Sequence, residues 1–285
     1  MNSSGKRFTN VEFENKHLPA CFGYITWKIL SLEEAMVDLH DLLPKINRFV
    51  NLAKKYCTFP NEHNLTKDEA ATIYLYTMEM SDDACVYRLL NQALIADDRS
   101  QVRPWFAYLK LLDSAASKLP KFKGCAWRGI NKDVSQTFKK GQIITWWSVS
   151  SCSTSVDVIS SFLGKTSQST LFNIECSNGH SIAAYTCYPN ENEVILMPGT
   201  MFEVVSDPLH HHGGLHIIHL KEILDDHGEQ QSATRSTTAD AATTTSVVQK
   251  FDNISLSKKT NLKLGISAMS KAICNYLYGY LSFTF

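Results

Sequence analysis

The chain has 285 residues, long enough to bury a substantial core in one large domain or two moderate ones. Hydrophobic residues make up 44% and charged residues 20%, the ordinary balance of a soluble globular chain. The 28 Lys and Arg are cancelled by 28 Asp and Glu, so bulk electrostatics gives no pull toward nucleic acid or an anionic membrane. Neither is expected as a partner.

Residues 1–120 read as a helical region. Ser31 with Glu34 fits a capping box, and Leu32, Met36, Leu39 and Leu43 then fall on one helical face before Pro44 stops it. Ile46, Val50, Ala53 and Cys57 form a second stripe. Thr66 with Glu69 makes another capping box, opening a helix from Ala70 to Met80. Ser81-Asp82-Asp83 is expected to cap a helix carrying Val86, Leu89, Leu90, Ala93 and Leu94. Trp105, Leu109, Leu112 and Ala116 make a last stripe, ending near Pro120. Such stripes are core-packing faces.

The pattern changes over residues 121–227, the expected β-rich core. Short runs suited to strands follow one another: Cys125–Arg128, Gln142–Ser150, Thr170–Cys176, Ser181–Tyr185, Glu193–Leu196, Met201–Ser206 and Leu215–Leu220. Asn178-Gly179, Pro198-Gly199 and Gly213-Gly214 read as turns between them. One helix interrupts, Val156–Leu163, with Thr154 or Ser155 as its cap and Gly164 closing it. Strands this close, without long helices between them, predict a mixed, mainly antiparallel sheet rather than a doubly wound nucleotide fold. Residues 228–248 are polar and small, the composition of a linker, and no fold is assigned to residues 249–285.

The eight cysteines show no Cys-x-x-Cys spacing, so neither a zinc knuckle nor a thioredoxin-like motif is indicated. The first residues carry no apolar run of signal-peptide length, and the apolar stretch from Ile273 to Phe285 is too short to span a bilayer. A cytoplasmic location is expected, with secretion by a route that needs no signal peptide left open.

Three polar intrusions into apolar strands stand out. Arg128 follows Cys125-Ala126-Trp127 and precedes Gly129. Either it is an edge-strand arginine on solvent, or its fork of donors holds a phosphate or carboxylate while the glycine lets a ligand approach bare backbone. The run Ser148-Val149-Ser150-Ser151-Cys152-Ser153-Thr154-Ser155 is rich in hydroxyls. One member should cap the following helix, and another could bind a ribose or fix a carboxylate. No Gly-x-Ser-x-Gly elbow is present, which argues against a serine nucleophile. Glu191 and Glu193 flank Asn192 at the entry to Val194-Ile195-Leu196. In extended backbone their side chains project to one face, so two like charges sit close together. They are either surface acids on a loop or a pair that meets a cation, a sugar hydroxyl or a proton in transit. Adjacent Trp146 and Trp147 in a strand should face one the core and the other a cleft or solvent. His210-His211-His212, with His216 and His219, reads as a loop-tip cluster rather than a metal site, and no metal is expected.

Taken together, Trp127-Arg128-Gly129, the serine run from Trp146 to Ser153, and Glu191-Asn192-Glu193 leading to Pro198-Gly199-Thr200 resemble the arginine, serine and Glu-x-Glu motifs of mono-ADP-ribosyltransferases. The arginine-specific, clostridial-toxin-like branch is the most similar. The resemblance runs from about residue 73 to residue 220 and is strongest from Ala126 to Val205, with the order and spacing of all three motifs in agreement. It implies an α+β fold over about residues 30–225, with the helical N-terminal region packed on a split β-sandwich that binds NAD, or NADP, as co-substrate.

On that resemblance Arg128 would anchor the cofactor phosphates, with Gly129 beside the nicotinamide amide. Ser151 would position the catalytic acid and the nicotinamide ribose, and Ser153 is the third residue of the same motif. Glu193 would be the catalytic acid, gripping the ribose 2′-hydroxyl and stabilising the oxocarbenium-like transition state. Glu191 would orient the acceptor guanidinium, and Tyr188 would lie in the loop presenting it. Trp127 stands where a tyrosine is more usual and Cys152 sits inside the serine motif; neither removes a required group. The implied activity is transfer of ADP-ribose from NAD to exposed arginines of an acceptor protein. The alternatives are an NAD glycohydrolase and a silent module that only binds NAD or ADP-ribose.

Overall fold

The computed structural model describes residues 6–9, 18–80, 85–163, 168–211 and 213–224. The expected linker and tail, the caps at residues 81–83 and 164, and His212 lie outside the described residues. The helices are α1 (Lys6–Thr9), α2 (Leu32–Ala35), α3 (Ile46–Tyr56), α4 (Lys67–Thr77), α5 (Val86–Ile95), α6 (Phe106–Lys118) and α7 (Val156–Phe162). The strands are β1 (Lys121–Ile130), β2 (Ile143–Trp146), β3 (Ser150–Ser153), β4 (Ser169–Ser181), β5 (Glu193–Leu196), β6 (Thr200–Val204), β7 (Leu209–His211) and β8 (Leu215–Glu222).

Both capping boxes form. Ser31 accepts from the Glu34 amide and Thr66 from the Glu69 amide, each glutamate returning to the cap backbone. The first helix does not run to Leu43, however. It stops at Ala35 and a 3-10 turn, Val37–Leu39, takes over. Val37, Asp38, His40 and Asp41 are weak helix formers, and packing rather than propensity shapes this stretch. Its stripe survives the change, since Leu32, Met36, Leu39 and Leu43 are all buried. Helix α4 is buried on nearly every side, from Ala70 to Thr77. The N-cap of α5 is Cys85, whose side chain makes no cap bond, and Ser155 at the N-cap of α7 makes none either.

The strands form one mixed sheet in the order β1-β3-β5-β4-β8-β6-β2, with β7 on β8 and a further pairing of β1 with β4. Neighbours run antiparallel except β4 and β8, which are parallel. The expected strand Gln142–Ser150 is broken in two. Asn91 of α5 takes the Val149 peptide out of the ladder, its Oδ1 accepting from the Val149 amide at 2.9 Å and its Nδ2 donating to the carbonyl at 3.0 Å. The expected turn at Asn178-Gly179 is absent, because β4 runs straight through it. A Cβ on Gly179 would lie 2.7 Å from Val194 Cγ1, so the glycine serves close strand approach. Residues 183–185, expected in a strand, form a 3-10 turn. Pro198-Gly199 does turn the chain, with Gly199 at φ +93°.

Two cores result. One joins the helices to Val149, Ile182, Tyr185 and Ile195; the other lies among the strands, around Ala126, Trp146, Phe172, Phe202 and Ile218. Trp146 is in the second core, while Trp147, half-buried just past the end of β2, packs against the first. Among the described residues no helix is long and apolar enough to cross a membrane.

Candidate active site

Strands β3 and β5 pair so that Ser151 faces Ile195 and Ser153 faces Glu193. Residues two apart share a face of a strand, which puts Ser151, Ser153, Glu193 and Ile195 on the side that meets the helices. The other face carries Cys152 and Leu196 into the core among the strands. Alternation therefore delivers a hydroxyl, a second hydroxyl and a carboxylate to one wall.

Glu191 arrives differently from the expectation of extended backbone. It ends a 3-10 turn, Pro189–Glu191, and Asn192 follows in the left-handed region at φ 47°. Asparagine tolerates that conformation better than most residues. The kink still brings the two carboxylates together, and both are buried. Ser153 Oγ donates to the Glu191 carbonyl at 2.7 Å and accepts from the Ser155 amide at 3.0 Å, while the Thr154 amide donates to the Asn192 carbonyl at 3.2 Å. The loop is thus sewn to the serine strand.

The cation between the carboxylates is Arg7 of α1, a residue that no motif or periodicity singles out. Its Nη2 donates to Glu191 Oε2 at 2.5 Å and to Glu193 Oε2 at 3.2 Å, and its Nε donates to Glu193 Oε1 at 3.4 Å. Nη1 donates to the Thr77 carbonyl at 3.0 Å and lies 3.9 Å from Glu79 Oε1. The Tyr188 ring lies 5.0 Å from the guanidinium carbon, a cation–π distance. Burial opposes the charge of Arg7, but the fields of Glu193 and then Glu191 outweigh it and hold the guanidinium more firmly protonated than in water.

Arg128 lies alongside, buried on β1. Its Nη1 donates to the Ser151 carbonyl and, at 3.3 Å, to the Arg7 carbonyl. Its Nη2 is buried with no hydrogen-bond partner. Burial lowers the Arg128 pKa below the ordinary arginine value. A buried guanidinium with a spare donor is built to receive an anion. At Gly129 a Cβ would stand 2.7 Å from Leu163 Cδ2 and 2.9 Å from Ile159 Cγ2, so its missing side chain makes room for α7.

Tyr76 of α4 completes the wall. Its hydroxyl donates to the Val149 carbonyl at 3.1 Å and lies 3.1 Å from Ser151 Oγ. With its one proton committed, Tyr76 accepts from the serine. Burial, and then the Glu193 charge, push the tyrosine up to about 12, so it stays neutral. Tyr76 and Thr77 were not among the expected site residues, because a helix buried on nearly every side shows no face to mark them, and Glu79 lies just past its end.

A family model described as NAD:arginine ADP-ribosyltransferase matches residues 33–227, most of the 285-residue chain. The chain belongs to the NAD:arginine ADP-ribosyltransferase family. Mav of Mycobacterium avium (strain 104), named for NAD(+)–arginine ADP-ribosyltransferase activity, is 32% identical over 166 residues. That match covers 56% of this chain and 18% of Mav, so the chain spans less than a fifth of the relative's length. Among solved structures, the type III effector XopAI from Xanthomonas axonopodis pv. citri is 18% identical with a TM-score of 0.55, covering 71% of this chain and 92% of that one. Vis toxin, an ADP-ribosyltransferase from Vibrio splendidus, is 21% identical with a TM-score of 0.48, covering 74% and 94%. The likeness to XopAI is one of fold alone, and the family match makes that fold ADP-ribosyltransferase-like, with helices and a mainly antiparallel sheet.

The family's co-substrate is a pyrophosphate-linked dinucleotide, and the spare Nη2 of Arg128 suits a phosphate oxygen. The histidines take part elsewhere: His210 and His216 pair through Nδ1 atoms 2.7 Å apart, and His219 Nε2 lies 2.9 Å from Glu175. Among the described residues no group of three or more His, Cys, Asp or Glu could hold a metal.

Proposed function

We propose that this chain transfers ADP-ribose from NAD to arginine side chains of an acceptor protein, releasing nicotinamide. The observation that carries the reading is the pair Glu191 and Glu193 closed around one guanidinium, that of Arg7. Here the Arg7 guanidinium stands in for the acceptor's. Glu191, 2.5 Å from that guanidinium, marks where an arginine substrate would dock, with Glu193 beside it for the ribose.

In the proposed reaction Arg128 holds the NAD phosphates through its spare donor, with Gly129 and Ser153 beside the cofactor. Ser151, set by Tyr76, orients Glu193 and the nicotinamide ribose. Glu193 grips the ribose 2′-hydroxyl. As the bond from ribose C1′ to the nicotinamide nitrogen breaks, the electron pair leaves with nicotinamide and positive charge builds on the sugar. The fixed carboxylate of Glu193 stabilises that charge, a preorganised effect worth on the order of 10²–10³ in rate. Glu191 and the Tyr188 ring place the acceptor guanidinium. One of its terminal nitrogens then attacks C1′, and the proton lost on forming the new C–N bond passes to Glu191. No metal takes part in this scheme, and neither nucleic acid nor a membrane is a partner in it.

We place the strands as the split sandwich of the family with the helices of residues 1–120 packed on it, a reading supported by the core shared between helices and Val149, Ile182 and Ile195. The cytoplasm is the proposed location, supported by the free thiols of Cys21, Cys57, Cys125, Cys152, Cys176 and Cys187.

The test is transfer of label from adenine-labelled NAD to agmatine or polyarginine. Labelled adduct with stoichiometric nicotinamide supports the reading. Nicotinamide release that ignores agmatine would make the protein a glycohydrolase instead, and no release from either the unmodified chain or Arg7→Ala would make it a binding module.

A further inference from the structure

The segment Arg7-Phe8 is seated where the reaction needs its substrates. Arg7 is 2% exposed and Phe8 is fully buried. Phe8 stacks on Phe162 of α7, ring centroids 5.8 Å apart and planes within 7°. A four-residue helix has no stability of its own, so these contacts hold α1 in place.

Arg7 does more than an acceptor arginine should. An acceptor needs Glu191 alone and leaves Glu193 to the ribose. Arg7 reaches past Glu191 onto both oxygens of Glu193, and its own carbonyl takes Nη1 of Arg128. The carboxylate assigned to the ribose is thereby engaged by a residue of the chain, which also holds the arginine assigned to the phosphates through that arginine's other nitrogen. The same carboxylate cannot grip a ribose hydroxyl and the Arg7 fork together.

We propose that Arg7-Phe8 is a built-in pseudosubstrate plug, which excludes NAD from the cleft and holds the enzyme inactive until the segment withdraws. This rests on the reading of the cleft as an NAD site. The plug is complementary in charge: its guanidinium sets a cation against two neighbouring carboxylates. Its effect on binding follows from populations. If the plug is docked in nine molecules of ten, the apparent affinity for NAD falls about tenfold. Linkage also makes the effect reciprocal, so that NAD must drive the segment out to the same extent.

The experiment uses the full chain and a carbocyclic NAD analogue that cannot lose nicotinamide. Calorimetric titration should show Arg7→Ala binding the analogue at least about tenfold more tightly than the unmodified chain, with Arg7→Lys, which keeps the charge but loses the fork, between them. In parallel, trypsin cleavage of the Arg7–Phe8 bond is followed by mass spectrometry. It should be slow in the unmodified chain and accelerated about tenfold or more by saturating analogue, and likewise by Glu191→Gln. Equal analogue affinity in the unmodified chain and Arg7→Ala overturns the plug. So does cleavage after Arg7 that is equally fast with Glu191 or Gln at that position. Absence of analogue binding to every variant, with cleavage still accelerated in Glu191→Gln, overturns the NAD reading while supporting a docked segment.

Discussion

Ser153 and Glu191 are joined by a hydrogen bond from a strand hydroxyl to a loop carbonyl, 2.7 Å long and buried. It fixes the loop that carries one carboxylate to the strand paired with the other. Ser153→Ala removes it, leaving the Glu191 carbonyl and the Ser155 amide without their partner. A buried polar group left unpaired costs about 1–3 kcal/mol. The cost falls on the position of Glu191, so transfer to agmatine should drop more than NAD hydrolysis does. Parallel measurement of labelled adduct and nicotinamide checks this; an equal drop in both would place the bond's role elsewhere.

Asn91 and Val149 supply a second test, this one of the fold. The Asn91 carboxamide accepts from the Val149 amide and shares the Val149 carbonyl with Tyr76, so Asn91→Ala leaves the amide without that acceptor while the carbonyl keeps Tyr76. The expected cost is again about 1–3 kcal/mol, read as a melting temperature lowered by several degrees. Asn91→Asp keeps the acceptor and loses the donor, so it should fall between. An unchanged melting temperature in Asn91→Ala would mean that the break between β2 and β3 is set by something other than this amide.

Much of this architecture is legible in the sequence, and where it is not the reasons are physical. Capping boxes at Ser31 and Thr66 are local signals, complete within four residues, and both form. The Glu191-Asn192-Glu193 stretch and the serine run also announce themselves as polar groups beside apolar strands. Asn178-Gly179 reads as a turn because its meaning depends on Val194, a residue of a neighbouring strand that sequence cannot place beside it. The strand through Trp147 and Val149 is cut by Asn91, more than fifty residues earlier. Arg7 is the extreme case: one arginine next to one phenylalanine has no periodicity, and its carboxylate partners lie 184 and 186 residues away.

Glu69 gives a pH prediction. It is buried and accepts from Ser114 Oγ at 2.7 Å, Lys118 Nζ at 2.6 Å and the Thr66 amide at 2.8 Å. Burial works to raise its pKa, but Lys118, the Thr66 amide and Ser114 outweigh it and the value is lowered. A depressed folded-state pKa means that the unfolded chain takes up the proton first as pH falls. The stabilisation is therefore full above the ordinary glutamate value and is lost as pH drops through the lower folded value. Melting temperatures followed from about pH 7 down to about pH 3 should fall less steeply in Glu69→Gln than in the unmodified chain. Parallel slopes would show that the Glu69 network contributes nothing to acid sensitivity.

Glu191 and Glu193 are proposed to form one site with two duties, and nicotinamide release measured with and without agmatine divides them. Glu193→Ala should lose release under both conditions, by on the order of 10²–10³. Glu191→Gln should keep release to water while losing the labelled agmatine adduct. Retention of the adduct in Glu191→Gln, or an equal loss of both activities there, would contradict the division of labour between the two acids.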